Sequence, residues 1–79
     1  MELTLLSGMR KLPEYRQNRT HVFQSEGSLA WFVRQNRGRL IEAGALVLLA
    51  GTWHANEVPF DAVVLEVGEA AAKRRGVVG

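Results

Sequence analysis

Cysteine is absent from the 79 residues of this chain, which excludes disulfides, thiolate zinc sites, cysteine nucleophiles and iron–sulfur clusters. Long apolar runs are also lacking, since no stretch approaches the roughly 18 residues of a membrane span. A short apolar stretch precedes Arg10, Lys11 and Arg16, the reverse of the order in a secretory signal, so the expected location is the cytoplasm with no membrane partner. No G-x-G-x-x-G, phosphate-binding loop or nucleophile elbow occurs, so catalysis has no visible machinery and no cofactor or small-molecule substrate is expected. His21 and His54 lack the spacing of metal ligands, and no metal site is expected. Glu66 and Glu69 share a helix face, but nothing nucleophilic or electrophilic accompanies them, and they read as solvated.

What remains is an ordinary globular mixture, 47% hydrophobic and 23% charged, in a length that suits one domain. A chain this short buries only about 60% of its unfolded surface, so its stability rests on a compact core. The net charge is only +2, but its distribution is uneven. Residues 10 to 39 hold seven cations against two anions, and residues 40 to 72 hold five anions and no Lys or Arg. Lys73, Arg74 and Arg75 then close the chain with a basic run. Eight of the ten cations are Arg, whose planar fork suits phosphates and guanine edges. One face is therefore expected to attract a polyanion; the alternative is a basic face that is merely solvated.

Residues 1–19 show no sustained period and are interrupted by Gly8 and Pro13, which reads as a loosely ordered N-terminal arm. Thr20 to Phe23 is β-prone and long enough for one small strand. Ser25 and Ser28 are N-cap candidates for a helix running to about Ala43, whose inward stripe is Leu29, Phe32, Val33, Asn36 and Leu40. Gly38 is the expected kink, and Gly44 stands where a left-handed C-cap would put glycine. Ala45 to Ala55 reads as a hairpin turning at Ala50-Gly51. Asn56 then caps a last helix with the stripe Phe60, Val63, Val64, Val67 and Ala71, while Glu57 and Asp61 at its start and Lys73 to Arg75 at its end complement its dipole.

A serine-led helix, a glycine-containing hairpin with Trp on its return strand (Ala50-Gly51-Thr52-Trp53) and Phe60-Asp61 opening a final helix together resemble the excisionase-like winged-helix proteins. These are small DNA-binding proteins of phages and other mobile elements, related to the MerR type. The resemblance covers about residues 20 to 70. It implies a recognition helix after the serine and a hairpin wing, with Ser25, Ser28, Trp31, Arg34 and Gln35 in the groove-facing set and Gly51 at the wing tip. This chain has Ala30 where such helices often carry a basic residue, and no Arg or Lys near Gly51.

Helical spacing agrees in part. With Leu29, Phe32 and Val33 inward, Ala30, Trp31, Arg34, Gln35 and Gly38 fall on or near the opposite side. Arg34 and Gln35 then suit guanine and adenine edges in a major groove about 12 Å wide, with Arg37 and Arg39 at the flanks for phosphates. Residue chemistry alone favours a core position for Trp31, between helix and hairpin, and for Trp53 on its strand.

The expectation is an α+β fold, a small winged helix-turn-helix over residues 20–75, made of a short strand, a helix, a β-hairpin wing and a C-terminal helix. The expected function is non-enzymatic, sequence-specific binding of double-stranded DNA in a bacterial host cell, as an excisionase-like architectural factor or a small transcription regulator. A homo-oligomer on DNA is one arrangement of it. The alternative is a protein-interaction module in which the last helix docks a partner and the arginines only solubilise.

Overall fold

The computed structural model describes residues 8–78, with side chains through residue 76. Strand β1 (Met9–Lys11), helix α1 (Leu12–Gln17), helix α2 (Glu26–Glu42), strands β2 (Leu46–Leu49) and β3 (Thr52–Asn56) and helix α3 (Glu57–Val78) follow in order. The strands form one antiparallel sheet in the order β1-β3-β2. This is the expected small α+β domain, broadly consistent with a winged helix. None of the described helices is long and apolar enough to cross a membrane.

Each boundary of α2 has a local chemical cause. The Ser28 backbone N–H donates to Ser25 Oγ at 3.1 Å, and the Ser25 N–H donates to Ser28 Oγ at 3.3 Å, a reciprocal cap that satisfies two N–H groups at the helix start. At the other end Gly44 has φ +73°. Its N–H donates to the Ile41 carbonyl at 3.1 Å, and that of Ala45 donates to the Leu40 carbonyl at 2.8 Å. This pairing closes a helix through a left-handed glycine, with Leu40 and Ala45 both buried beneath it. The kink falls at Asn36 (φ −125°, ψ 22°), not at Gly38. Asn36 Nδ2 donates to the Phe32 carbonyl at 3.0 Å, a local bond that competes with the helical pattern.

The hairpin turns where the composition indicated. Leu49 faces Thr52, and the two residues between them, Ala50 (φ 51°) and Gly51 (φ 78°), are both left-handed. That geometry matches the twist of the flanking strands but strains an alanine.

The arm expected over residues 1–19 needs correction in its described part, residues 1–7 lying outside the described residues. Met9–Lys11 pairs with His54 to Asn56 along β3, so the sheet's third strand is here and not at Thr20–Phe23. Those latter residues form turns, in which the Val22 and Phe23 N–H groups donate to the Arg19 carbonyl at 3.0 and 2.9 Å. Helix α1 carries Pro13 in its first turn, where a missing N–H costs nothing, and Glu14 Oε1 accepts from the Lys11 N–H at 3.2 Å. So short a helix cannot show a period, yet it puts Tyr15 in the centre of the core.

That core joins Tyr15, Phe23, Leu29, Phe32, Val33, Leu40, Ala45, Leu46, Ala55, Phe60 and Val63, with Leu12, Val64 and Val67 packed against it. The Phe60 ring centroid lies 4.5 Å from that of Tyr15 and 6.1 Å from that of Phe32, which meets Phe23 at 5.4 Å. Truncating Phe60 to Ala is therefore expected to cost about 3 to 5 kcal/mol, enough to unfold most molecules of a domain this small in a thermal melt. An unchanged melting curve would contradict this core. Ala50→Asn should raise stability by on the order of 1 kcal/mol, because Asn tolerates the left-handed turn position; a lower melting temperature would contradict the strain assigned to Ala50.

Candidate nucleic-acid interface

The arginines differ in how far the fold commits them, and Arg19 contrasts most sharply with those of α2. Arg19 is fully committed: Nε and Nη2 donate to the two Asp61 carboxylate oxygens, each at 2.8 Å, and Nη1 donates to Glu57 Oε2 at 3.4 Å. Its guanidinium also lies 4.2 Å above the Tyr15 ring, and the Tyr15 hydroxyl donates to Asp61 Oδ1 at 2.6 Å. The Arg19 hydrogen bonds hold the Asp61 carboxyl below its ordinary value against the opposing effect of burial. Burial, reinforced by the bond to Asp61, pushes the Tyr15 phenol up. This cluster borders an open hollow of about 550 Å³ with His21, Val22 and Leu65 on its rim. With every strong polar group already paired, it is a fastening between the α1 turn and α3.

Arg34, Arg37 and Arg39 are the contrasting set. All three are exposed on α2, and none of their side chains makes a hydrogen bond or ion pair among the described residues. Leu29, Phe32, Val33 and Leu40 are buried beneath them, so the helix turns its cationic side outward. Gln35 and Trp31 share that outer side. Trp31 is 57% exposed, which corrects the core position favoured for it and leaves its side chain on the surface of α2. Ser25 and Ser28 are at the helix start with their hydroxyls engaged in the cap. Gly51 is exposed at the hairpin tip, away from the cap serines along the chain and on a separate element.

Trp53 is likewise not in the core position expected of it. It is 38% exposed and directly opposite Leu48, itself 54% exposed. The face they share also holds Leu46 and Ala55, both buried, so burial on it falls away toward the turn. Trp53 instead lines a cleft of about 250 Å³ between hairpin and α2, together with Leu12, Ala30, Val33, Arg34, Arg37 and Leu46. The signal was present in the two-residue turn, which fixes Trp53 as the partner of Leu48 only two positions from the tip.

His54 Nδ1 lies 2.9 Å from the Thr52 carbonyl, and no group of three or more His, Cys, Asp or Glu among the described residues could hold a metal ion. No family model matches the chain, and neither a curated protein nor a solved structure is found to be similar to it.

The fastening has a pH signature. Because the Asp61 value is lower folded than unfolded, its stabilisation is complete above the unfolded value near pH 4 and is lost as pH falls through the folded one. Tyr15, raised on folding, stabilises below about pH 10, and that contribution is lost as pH rises further. The melting-temperature gap between parent and Asp61→Asn should thus be constant from about pH 5 to 9 and shrink toward acid. A gap that persists undiminished in strong acid would show that the carboxylate charge plays no part.

Proposed function

We propose that this chain is a non-enzymatic, sequence-specific binder of double-stranded DNA, of the excisionase-like winged-helix kind. It acts in the bacterial cytoplasm as an architectural factor or small transcription regulator of a mobile element. The observation that carries this reading is the set of arginines without ion pairs, Arg34, Arg37 and Arg39, exposed on a capped helix that shares a cleft with the hairpin. A helix about 10 to 12 Å across fits a major groove about 12 Å wide. Arg34 and Gln35 then meet base edges, and Arg37 and Arg39 meet phosphates. Arginines without acidic partners also keep their full charge available for releasing counterions from the duplex.

A second reading draws on α3, where Val58 and Leu65 are exposed on the helix that also carries Glu66 and Glu69. Such a surface suits docking to a protein. Ionic strength separates the two readings, since DNA affinity falls steeply with salt and apolar docking scarcely responds.

The deciding experiment is a gel shift on DNA flanking the chain's own gene, beside a scrambled duplex, over a range of salt concentrations. Arg34→Ala should weaken specific binding by about 1 to 3 kcal/mol without unfolding the protein. Neutralising Arg37 and Arg39 together should lower affinity for both duplexes about equally and make the slope of log affinity against log salt shallower by about 2. The melting temperature of that double variant should stay near the parent's, because exposed charges add little to folding. Absence of any shift on either duplex, or a slope the double variant leaves unchanged, would sink this reading.

A further inference from the structure

A hairpin wing that meets DNA through charge needs cations, and this one has none: no Lys or Arg occurs between Arg39 and Lys73. Instead it carries an exposed apolar pair, Leu48 and Trp53, joined across the strands. Charge enters from the facing wall. The cleft between hairpin and α2 is lined by Trp53 and Leu46 from the hairpin, by Ala30, Val33, Arg34 and Arg37 from α2, and by Leu12. Arg37 stands one turn beyond buried Val33 and Arg34 one turn beyond Ala30, so both guanidinium groups belong to the same wall of the helix.

This combination is selective. An apolar indole face opposite two unpaired guanidinium groups suits a ligand with a saturated ring and regularly spaced anionic groups, which is the chemistry of a sugar–phosphate chain. A hydrophobic peptide would leave both arginines desolvated without partners, and an isolated anion would leave the indole unused. A duplex that places its major groove on α2 has a backbone strand along the groove's edge, and this cleft borders α2 on the hairpin side.

We infer that the cleft between α2 and the hairpin seats one sugar–phosphate strand of the bound duplex, with Trp53 packed on deoxyribose and the Arg37 guanidinium on an adjoining phosphate, while the aliphatic stem of Arg34 lines the seat and its guanidinium continues to the base edge. The hairpin thus contributes apolar contact on one side of the strand, and α2 supplies the charge on the other. This inference rests on the DNA-binding reading above, and adds the seat of the strand and the role of a residue not otherwise assigned one.

Two measurements test it. In the intact chain labelled with 5-fluorotryptophan, the ¹⁹F resonance of Trp53, identified from its loss in Trp53→Phe, should shift on adding duplex and become less sensitive to exchange of H2O for D2O. Trp53→Ala should weaken binding to specific and scrambled duplexes alike, by about tenfold for the loss of some tens of Å² of apolar contact. It should leave the salt slope unchanged, since no phosphate contact is removed, whereas Arg37→Ala should make the slope shallower by about 1. A duplex that binds while the Trp53 resonance keeps its position and solvent sensitivity overturns the inference and leaves the DNA-binding reading standing. Failure of the parent to bind any duplex overturns both. Because the resonance is read on the parent sequence, the test does not depend on whether Trp53→Ala folds.

Discussion

Asp61 accepts hydrogen bonds from Tyr15 and Arg19, residues 46 and 42 positions earlier in the chain, and the rest of the structure is arranged around that junction. Tyr15 is on a short helix that could not persist alone, and its buried ring lies against Phe60, the neighbour of Asp61 on α3. The same pairing therefore closes the core and fastens the N-terminal strand and turn to the last helix. With α1 and α3 fixed, the turns from Asn18 to Gln24 deliver Phe23 to Phe32, and α2 lies with its apolar stripe against the aromatic cluster.

The cost of that junction is met by one arginine, and the outcome is a division of labour among like charges. Arg19 is held between Asp61 and Glu57, close to an aromatic face, and is committed to folding. Arg34, Arg37 and Arg39 have no acidic neighbour to satisfy them among the described residues. Glu42, three residues beyond Arg39 on the same helix, makes no ion pair with it, and the acidic residues of α3 run from Glu57 to Glu69, where the first two are already engaged by Arg19. Sequence position thus separates structural cations from available ones more sharply than net charge does.

Long, regular features of this fold were legible in the residues. The serine cap, the stripe from Leu29 to Leu40, Gly44 after the helix and the turn at Ala50-Gly51 each rest on a local rule, and each is present. What local rules missed depended on partners far away in the chain. Met9–Lys11 is a strand because β3 offers it an edge, and Tyr15 is core because Phe60 and Asp61 receive it. The size of Trp31 and Trp53 favours the core, but the inward side of α2 is taken by Leu29, Phe32, Val33 and Leu40, and burial on the hairpin face falls away between Leu46 and Leu48. Of the candidate site, the arginines and Gln35 were readable from helical spacing. The cleft was not, because it belongs to the angle between two elements.

Helix α3 is 22 residues long, about 33 Å at the usual rise, yet its last residue packed against the core is Val67. From Gly68 to Gly76 every side chain is exposed except that of Ala71, which is partly so. That length is held by its own backbone bonds, by good helix formers such as Ala70 to Lys73 and by cations at the negative end of the dipole. The cooperative unit of this protein is consequently smaller than its outline. Melting of the distal turns is a local event that takes no buried contact with it, and the global transition belongs to the part of the chain from β1 to Val67.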